Sequence, residues 1–237
     1  MADICWDYCL FLFKAIALRI VLFDVALEPV KRDDLELIRY WRNSDKIRKR
    51  MEYRENISAE QQLKWFNEFS DYKTASAYII VYQGKKIGLI YDKNTNDYSE
   101  GGMFIWEDEY LGSLVPVCVS LLKTDTNFHL IRNKYAFIKI LSDNERTIAF
   151  NTQLGYKLCE GQEGKYNQLY RLTLEDYELK AARFKKMLEI YYQTKYEVQF
   201  YLDKSDVESG YVAYYLEHYV KDNTGNFRLI FPTGEGQ

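Results

Sequence analysis

Histidine, proline and metal-ligand spacing are all scarce in this chain, and each scarcity narrows what it can do. Four cysteines stand at positions 5, 9, 118 and 159 with no ligand-like spacing, and His129 and His218 are the only histidines that could assist them, so no metal site is expected. Cys118 sits inside the apolar run "VPVCVSLL", where a buried structural thiol is a better reading than a nucleophile. Cysteine usage of this kind fits a reduced, cytoplasmic compartment. With only 3 prolines, little interrupts the periodic segments. An excess of basic charge is also missing: the formal net charge is −3 and the sequence pI about 5.6, so no global field gathers nucleic acid or an anionic membrane, and neither is expected as a partner. The short run "KIRKR" (46–50) lies between acidic neighbours and reads as a solvated helix face, with a local anion site as the alternative.

Long apolar runs are missing as well. The stretch "CWDYCLFLFKAIALRIVLF" (5–23) is the nearest approach, but Asp7, Lys14 and Arg19 break it. It is too short and too charged to span a bilayer and lacks the basic start of a signal peptide. Residues 1–20 are read as an N-terminal extension: an added packing segment, or sequence upstream of the true start.

What is present is ordinary globular composition, 47% hydrophobic and 28% charged over 237 residues, enough for one large domain or a standard domain with an appendage. "IVLFDVALEPV" (20–30) alternates and is β-branched, predicting a strand. "RDDLELIRYWRN" (32–43) places Leu35, Ile38 and Trp41 at helical spacing behind an acidic first turn. A short helix over 45–52 follows, then "SAEQQLKWFNEF" (58–69) with a Ser58–Gln61 capping box. "SAYIIVY" and "KIGLIYD" flank a turn at 83–85 and predict a hairpin. The loop "NTNDYSEGG" (94–102) feeds the strand "MFIW", a helix begins near Leu114, and "YAFIKIL" (135–141) is a further strand. A helix between two strands at this point implies a parallel crossover in a mixed sheet. An α/β (α+β) domain over 21–174 results.

Residues 142–158, "SDNERTIAFNTQLGYKL", pose a sharper question. They read as a helix with an Asp143 or Asn144 cap and a Gly155 stop. Asn144 and Asn151 share an arc with Thr147, Ile148, Phe150 and Leu154, while Arg146 falls on the other side. Two amides on the face that should be buried need partners, since an unpaired one costs roughly 1–3 kcal/mol. They either bond backbone at a sheet edge or face a ligand.

Beyond 175 the texture changes to helix candidates at 174–194 and 206–222 and strand candidates "YEVQFYL" and "FRLIF". Tyrosine is dense there, with 8 of the 22 between 191 and 219, which suits core filling and interface use together. A homodimer is compatible with it, and residues 175–237 form a C-terminal extension of unassigned role.

Four strings, "LEPVKRDDLELIRYWRN", "GGMFIW" with "EDEYLGSLVPVCVSLL", "YAFIKIL" and "DNERTIAFNTQLGYKL", together resemble the GNAT acyltransferase superfamily over roughly 24–174. The resemblance implies a mixed, mostly antiparallel central sheet flanked by helices, whose two central parallel strands splay to admit the pantetheine arm of acetyl-CoA as co-substrate. Asn144 and Asn151 would then face that ligand, with Phe104 and Ile105 on the splayed strand. The pyrophosphate site would lie at Gly112 and Ser113 before the helix, where free N–H groups and the helix dipole converge. Two departures are plain: of the usual loop glycines only Gly112 remains, with Pro116 deleting a donor, and Asn151 stands where many members carry a tyrosine acid. Asn151 can assist only by donating an N–H to the thiolate or oxyanion. Glu107 or a water chain is the available base, a surface carboxylate being the alternative for Glu107. "YWRNSDKIRKRM" resembles the branch that acetylates nucleotide-linked 4-amino sugars, implying Trp41, Arg42, Asn43, Arg48 and Met51 as acceptor contacts; the spacing of Trp41 with Ile38 and Leu35 equally suits a core residue. The function implied is an acetyl-CoA-dependent N-acetyltransferase of a small-molecule primary amine. The alternatives are a protein or peptide N-acyltransferase and a GNAT-like module that has lost catalysis.

Overall fold

The computed structural model describes residues 18–69, 74–95, 97–202 and 227–230. The first 17 residues of the N-terminal extension and the helix expected over 206–222 lie outside them. The segment 20–30 is a hairpin where one strand was expected: β1 (Arg19–Leu22) and β2 (Val25–Pro29) pair from Leu22–Val25. The turn is made by Phe23 at φ +54°, a left-handed conformation that a bulky residue avoids unless held. Its ring stacks on Tyr192 at 4.3 Å, a contact invisible in the local pattern.

Then come α1 (Leu35–Asn43), α2 (Asp45–Arg48) and α3 (Ala59–Glu68). The capping box forms as expected, Ser58 Oγ accepting from Gln61 N at 3.2 Å and Gln61 Oε1 from Ser58 N at 2.8 Å. β3 (Ala75–Tyr82) and β4 (Lys85–Asn94) make a tight hairpin whose turn residues, Gln83 and Gly84, both have positive φ, as a twisted two-residue turn requires. β5 (Tyr98–Ile105) begins inside the stretch expected to be loop, because Ser99 to Gly102 pair with Asn94 to Tyr91 of β4. Next are α4 (Val115–Asp125), β6 (Tyr135–Leu141), α5 (Glu145–Gln153), β7 (Lys157–Leu158), β8 (Asn167–Thr173), α6 (Leu174–Tyr192), β9 (Val198–Tyr201) and β10 (Phe227–Ile230).

Among the described residues ten strands form one sheet in the order β10-β9-β1-β2-β3-β4-β5-β6-β8-β7. Only β5–β6 and β9–β10 are parallel, so the mixed, mostly antiparallel α/β architecture is present. Alternation along the strands divides the core. One face packs Ile87, Ile90 and Ile105 against α4 and α6; the other packs Leu89, Phe104 and Trp106 against α1 to α3. Cys118 is fully buried in the first layer, its thiol pushed up to about 12 by that burial.

The C-terminal segment is tied to the sheet and to the end of α4. β9 pairs with β1, and the fully buried Asp125 accepts from Tyr177 Oη at 2.6 Å, Tyr196 Oη at 2.6 Å and Lys185 Nζ at 2.7 Å. Beyond Asp125 the helix widens into a π turn, Thr126–Leu130. No described helix is long and apolar enough to cross a membrane.

Candidate active site

The pairing of β5 with β6 stops at Gly101–Ile138, yet β5 continues to Ile105 and β6 to Leu141. Past that vertex the strands part. With a rise of about 3.3 Å per residue, the opening runs roughly 13 Å along β5. A cleft of about 590 Å³ follows it, walled by residues 101–105 of β5, 138–141 of β6, and Asn144, Thr147, Phe150 and Asn151 of α5. Its open end reaches Leu111 and Pro116 at the start of α4, and its other end Ile47, Met51 and Glu52.

A smaller cavity of about 90 Å³ lies beyond the vertex and shares Tyr91, Gly101, Gly102, Met103, Ile138 and Asn151 with the cleft. Its lining includes the ion pair between Lys123 Nζ and Asp92 Oδ1 at 3.0 Å, which Ser76 Oγ joins by donating to the same oxygen at 2.6 Å.

The residues singled out by the sequence fall into distinct places. Phe104, Ile105, Asn144 and Asn151 all line the cleft. Asn144 caps α5, Oδ1 accepting from Thr147 N at 3.3 Å, and Asn151 Nδ2 donates to Thr147 O at 2.9 Å. Both amides thus bond backbone of their own helix while lining the cleft. Ser113 is engaged as a helix cap: its hydroxyl donates to Tyr110 O at 2.8 Å and accepts from Val115 N at 3.1 Å. Gly112 stands in open space, where an added Cβ would meet only Arg146 Nη2, at 4.0 Å.

Glu107 pairs with Lys85 at 3.3 Å and is not among the cleft-lining residues. Trp41 stacks on buried Trp106 at 6.0 Å, nearly parallel. Asn43 clamps the loop after α2, accepting from Ile57 N at 2.8 Å and donating to Ile57 O at 2.9 Å. Arg48 is held by Asp45 at 2.5 Å and Asn56 at 3.3 Å. Met51 lines the cleft. Arg42 donates from Nη2 to Tyr53 O at 2.9 Å, while its Nη1 is buried with no hydrogen-bond partner.

Sequence reasoning passed over four cleft residues. Arg146, assigned to the outer face of its helix, donates to Leu111 O at 2.6 Å and so stands beside the loop before α4. Glu100 and Lys139 bridge the parallel strands at 2.9 Å, just before the vertex. Tyr91 lies across Gly102, whose missing Cβ would stand 2.9 Å from the Tyr91 hydroxyl. The Gly101–Gly102 pair was the available signal: adjacent glycines in a strand mark a close approach.

No family model and no curated protein matches the chain. Solved structures do. A nucleotide-linked sugar GNAT, FdhC, superposes with a TM-score of 0.58 at 16% identity, covering 70% of this chain and 96% of its own. The fold is GNAT-like. Mycobacterium smegmatis RimJ, solved in complex with CoA-disulfide, gives 0.57 at 13% identity over 72% of this chain and 92% of its own. Spermidine N-acetyltransferase from Vibrio cholerae, in complex with CoA and spermine, gives 0.56 at 17% over 65% and 98%. On this GNAT-like frame the parting of β5 from β6 is the feature that distinguishes the sheet from a closed one.

Proposed function

We propose that the protein is an acetyl-CoA-dependent N-acetyltransferase of a small-molecule primary amine, and that the observation carrying this reading is the loss of pairing between β5 and β6 beyond Gly101–Ile138. Unpaired strand edges inside a fold are costly unless something bonds them. An extended amide-bearing arm such as pantetheine meets that need as an added strand would. The residues present fit it: apolar Phe104, Ile105 and Ile140 line the arm's path, and the cleft opens where α4 begins.

Phosphate binding rests on different chemistry from a glycine loop. Ser113 is occupied by capping and Pro116 has no N–H, so the remaining attraction comes from the α4 terminus and from Arg146, whose guanidinium faces Gly112. Asn144 and Asn151 border the arm. The bound co-substrate supplies a thioester carbonyl. Glu100, a carboxylate in the cleft, receives the proton of the attacking amine in this reading, and Glu107 does not take part. Direct attack needs a neutral, well-placed amine more than a strong base.

For the acceptor we favour a nucleotide-linked amino sugar, supported by Met51 and Arg50 at the acceptor end of the cleft. Trp41 and Arg48 support the wall rather than the ligand, given their existing partners. The test is CoA release from acetyl-CoA with UDP- and TDP-linked amino sugars, polyamines and peptides as acceptors. Turnover confined to the amino-sugar nucleotides is expected. Turnover confined to peptides would transfer the reading to a protein N-acyltransferase, and no release with any acceptor would favour a module without catalysis.

A further inference from the structure

We propose that Tyr91 of β4 is the hydroxyl that meets the co-substrate's sulfur, taking the place that Asn151 cannot fill as an acid. The inference rests on the acetyltransferase reading above and deepens it. A ligand anchored at the start of α4 and running along the parted strands ends at their vertex, Gly101–Ile138. Gly102 is the first β5 residue past that vertex, and the Tyr91 ring lies over it. The ring is fixed there by Trp65 and Phe69, which meet it edge-on at 6.4 and 5.6 Å. The hydroxyl therefore reaches from β4 across β5 to the point where the arm must stop.

A second observation gives the hydroxyl a chemical setting. Tyr91 lines both the cleft and the smaller cavity; burial raises its phenol above the usual range, and the Arg42 charge works against that rise.

The step balances without another reagent. The amine nitrogen bonds to the thioester carbonyl carbon and the carbon–sulfur bond breaks, its electron pair going to sulfur. Tyr91 gives its proton to that sulfur, and the proton leaving the amine nitrogen restores the phenol, directly or through Glu100. Amide and free thiol are the products. Arg42 is a positioning residue in this scheme.

Binding tests this without knowing the acceptor. CoA and desulfo-CoA are titrated calorimetrically into the wild type, Tyr91→Phe and Asn151→Ala, each checked by circular dichroism. A single hydrogen bond to sulfur predicts that the wild type prefers CoA by about fivefold, that Tyr91→Phe loses the preference while still binding both, and that Asn151→Ala keeps it. Equal preference in wild type and Tyr91→Phe, no preference in the wild type, or loss only in Asn151→Ala would each overturn the assignment while leaving the cofactor reading intact. A folded wild type that binds neither compound would overturn both.

Discussion

Two polar clusters in this molecule, one fully buried and one half-buried along a cleft, end in opposite states. Around Asp125, two phenols and one ammonium converge on a single carboxylate within 2.7 Å. At the vertex of β5 and β6, two amides line a cleft and a phenol lies over a glycine. The first cluster is complete and fastens α6 and the segment after it to the end of α4. The second leaves its groups lining an open cleft, where the spare donor and acceptor capacity of the two amides suits a ligand. Satisfied burial holds a fold together; polar groups lining a cleft are left to meet a ligand.

The contrast breaks most visibly at Asp125. Asp125→Ala leaves Lys185 without its closest carboxylate and two phenols without an acceptor, so urea unfolding should show a loss of about 3–5 kcal/mol. At the open cluster the largest effect is steric. Gly102→Val drives a side chain into the Tyr91 hydroxyl and ring, 2.9 and 3.1 Å away, costing about 1–3 kcal/mol and abolishing the preference for CoA over desulfo-CoA. Asn144→Ala removes the α5 cap for about 1 kcal/mol and should weaken acetyl-CoA binding in the same preparation. Arg42→Met is the smallest in stability: losing the bond to Tyr53 O and relieving a partnerless Nη1 nearly cancel, so the midpoint shifts by less than about 1 kcal/mol, while turnover falls.

The pH dependence separates the clusters again. Burial, then the charge of Asp125, holds Tyr177 and Tyr196 neutral well above the ordinary phenol range. Their folded pKa values are raised, so the unfolded chain releases these protons first. The stability they add is whole below about pH 10 and falls as the pH rises beyond it. His129 runs the other way. Its pKa is lowered, by burial above all, so below about pH 6.5 the unfolded chain takes up a proton that the folded chain refuses, and stability falls with pH. Denaturant midpoints measured from pH 5 to 11 should therefore decline at both ends.

Much of the frame was legible because it is periodic or capped. The helices at 35–43, 59–68, 145–153 and 174–192 carry their spacing in local sequence, those at 59–68 and 145–153 their N-caps as well, and the parallel crossover followed from element order. The hairpin at Phe23 was not legible, since what holds its turn is Tyr192, far along the chain. The first half of β5 was hidden by glycines that read as loop, while its second half, in "MFIW", was legible. At the site, Asn144 and Asn151 stood out because amides break an apolar arc. Arg146 did not, because charge on a helix reads as solvent-facing until the loop beside it is placed. Tyr91 looked like one more aromatic in an alternating strand, and only the glycine opposite it, on a strand not yet recognised as paired, gives its hydroxyl a direction.

The measurement that bears most directly on the parted strands is calorimetric titration of acetyl-CoA into the wild type and Gly112→Trp. Gly112 has room for a larger side chain and no left-handed backbone to strain, so the variant should fold with an unchanged unfolding midpoint. Micromolar binding by the wild type, weakened at least about tenfold in the variant, corresponding to about 1.4 kcal/mol, is the predicted result. Equal affinity in both proteins, or no heat from a folded wild type, would contradict a co-substrate held between the start of α4 and the vertex of β5 and β6.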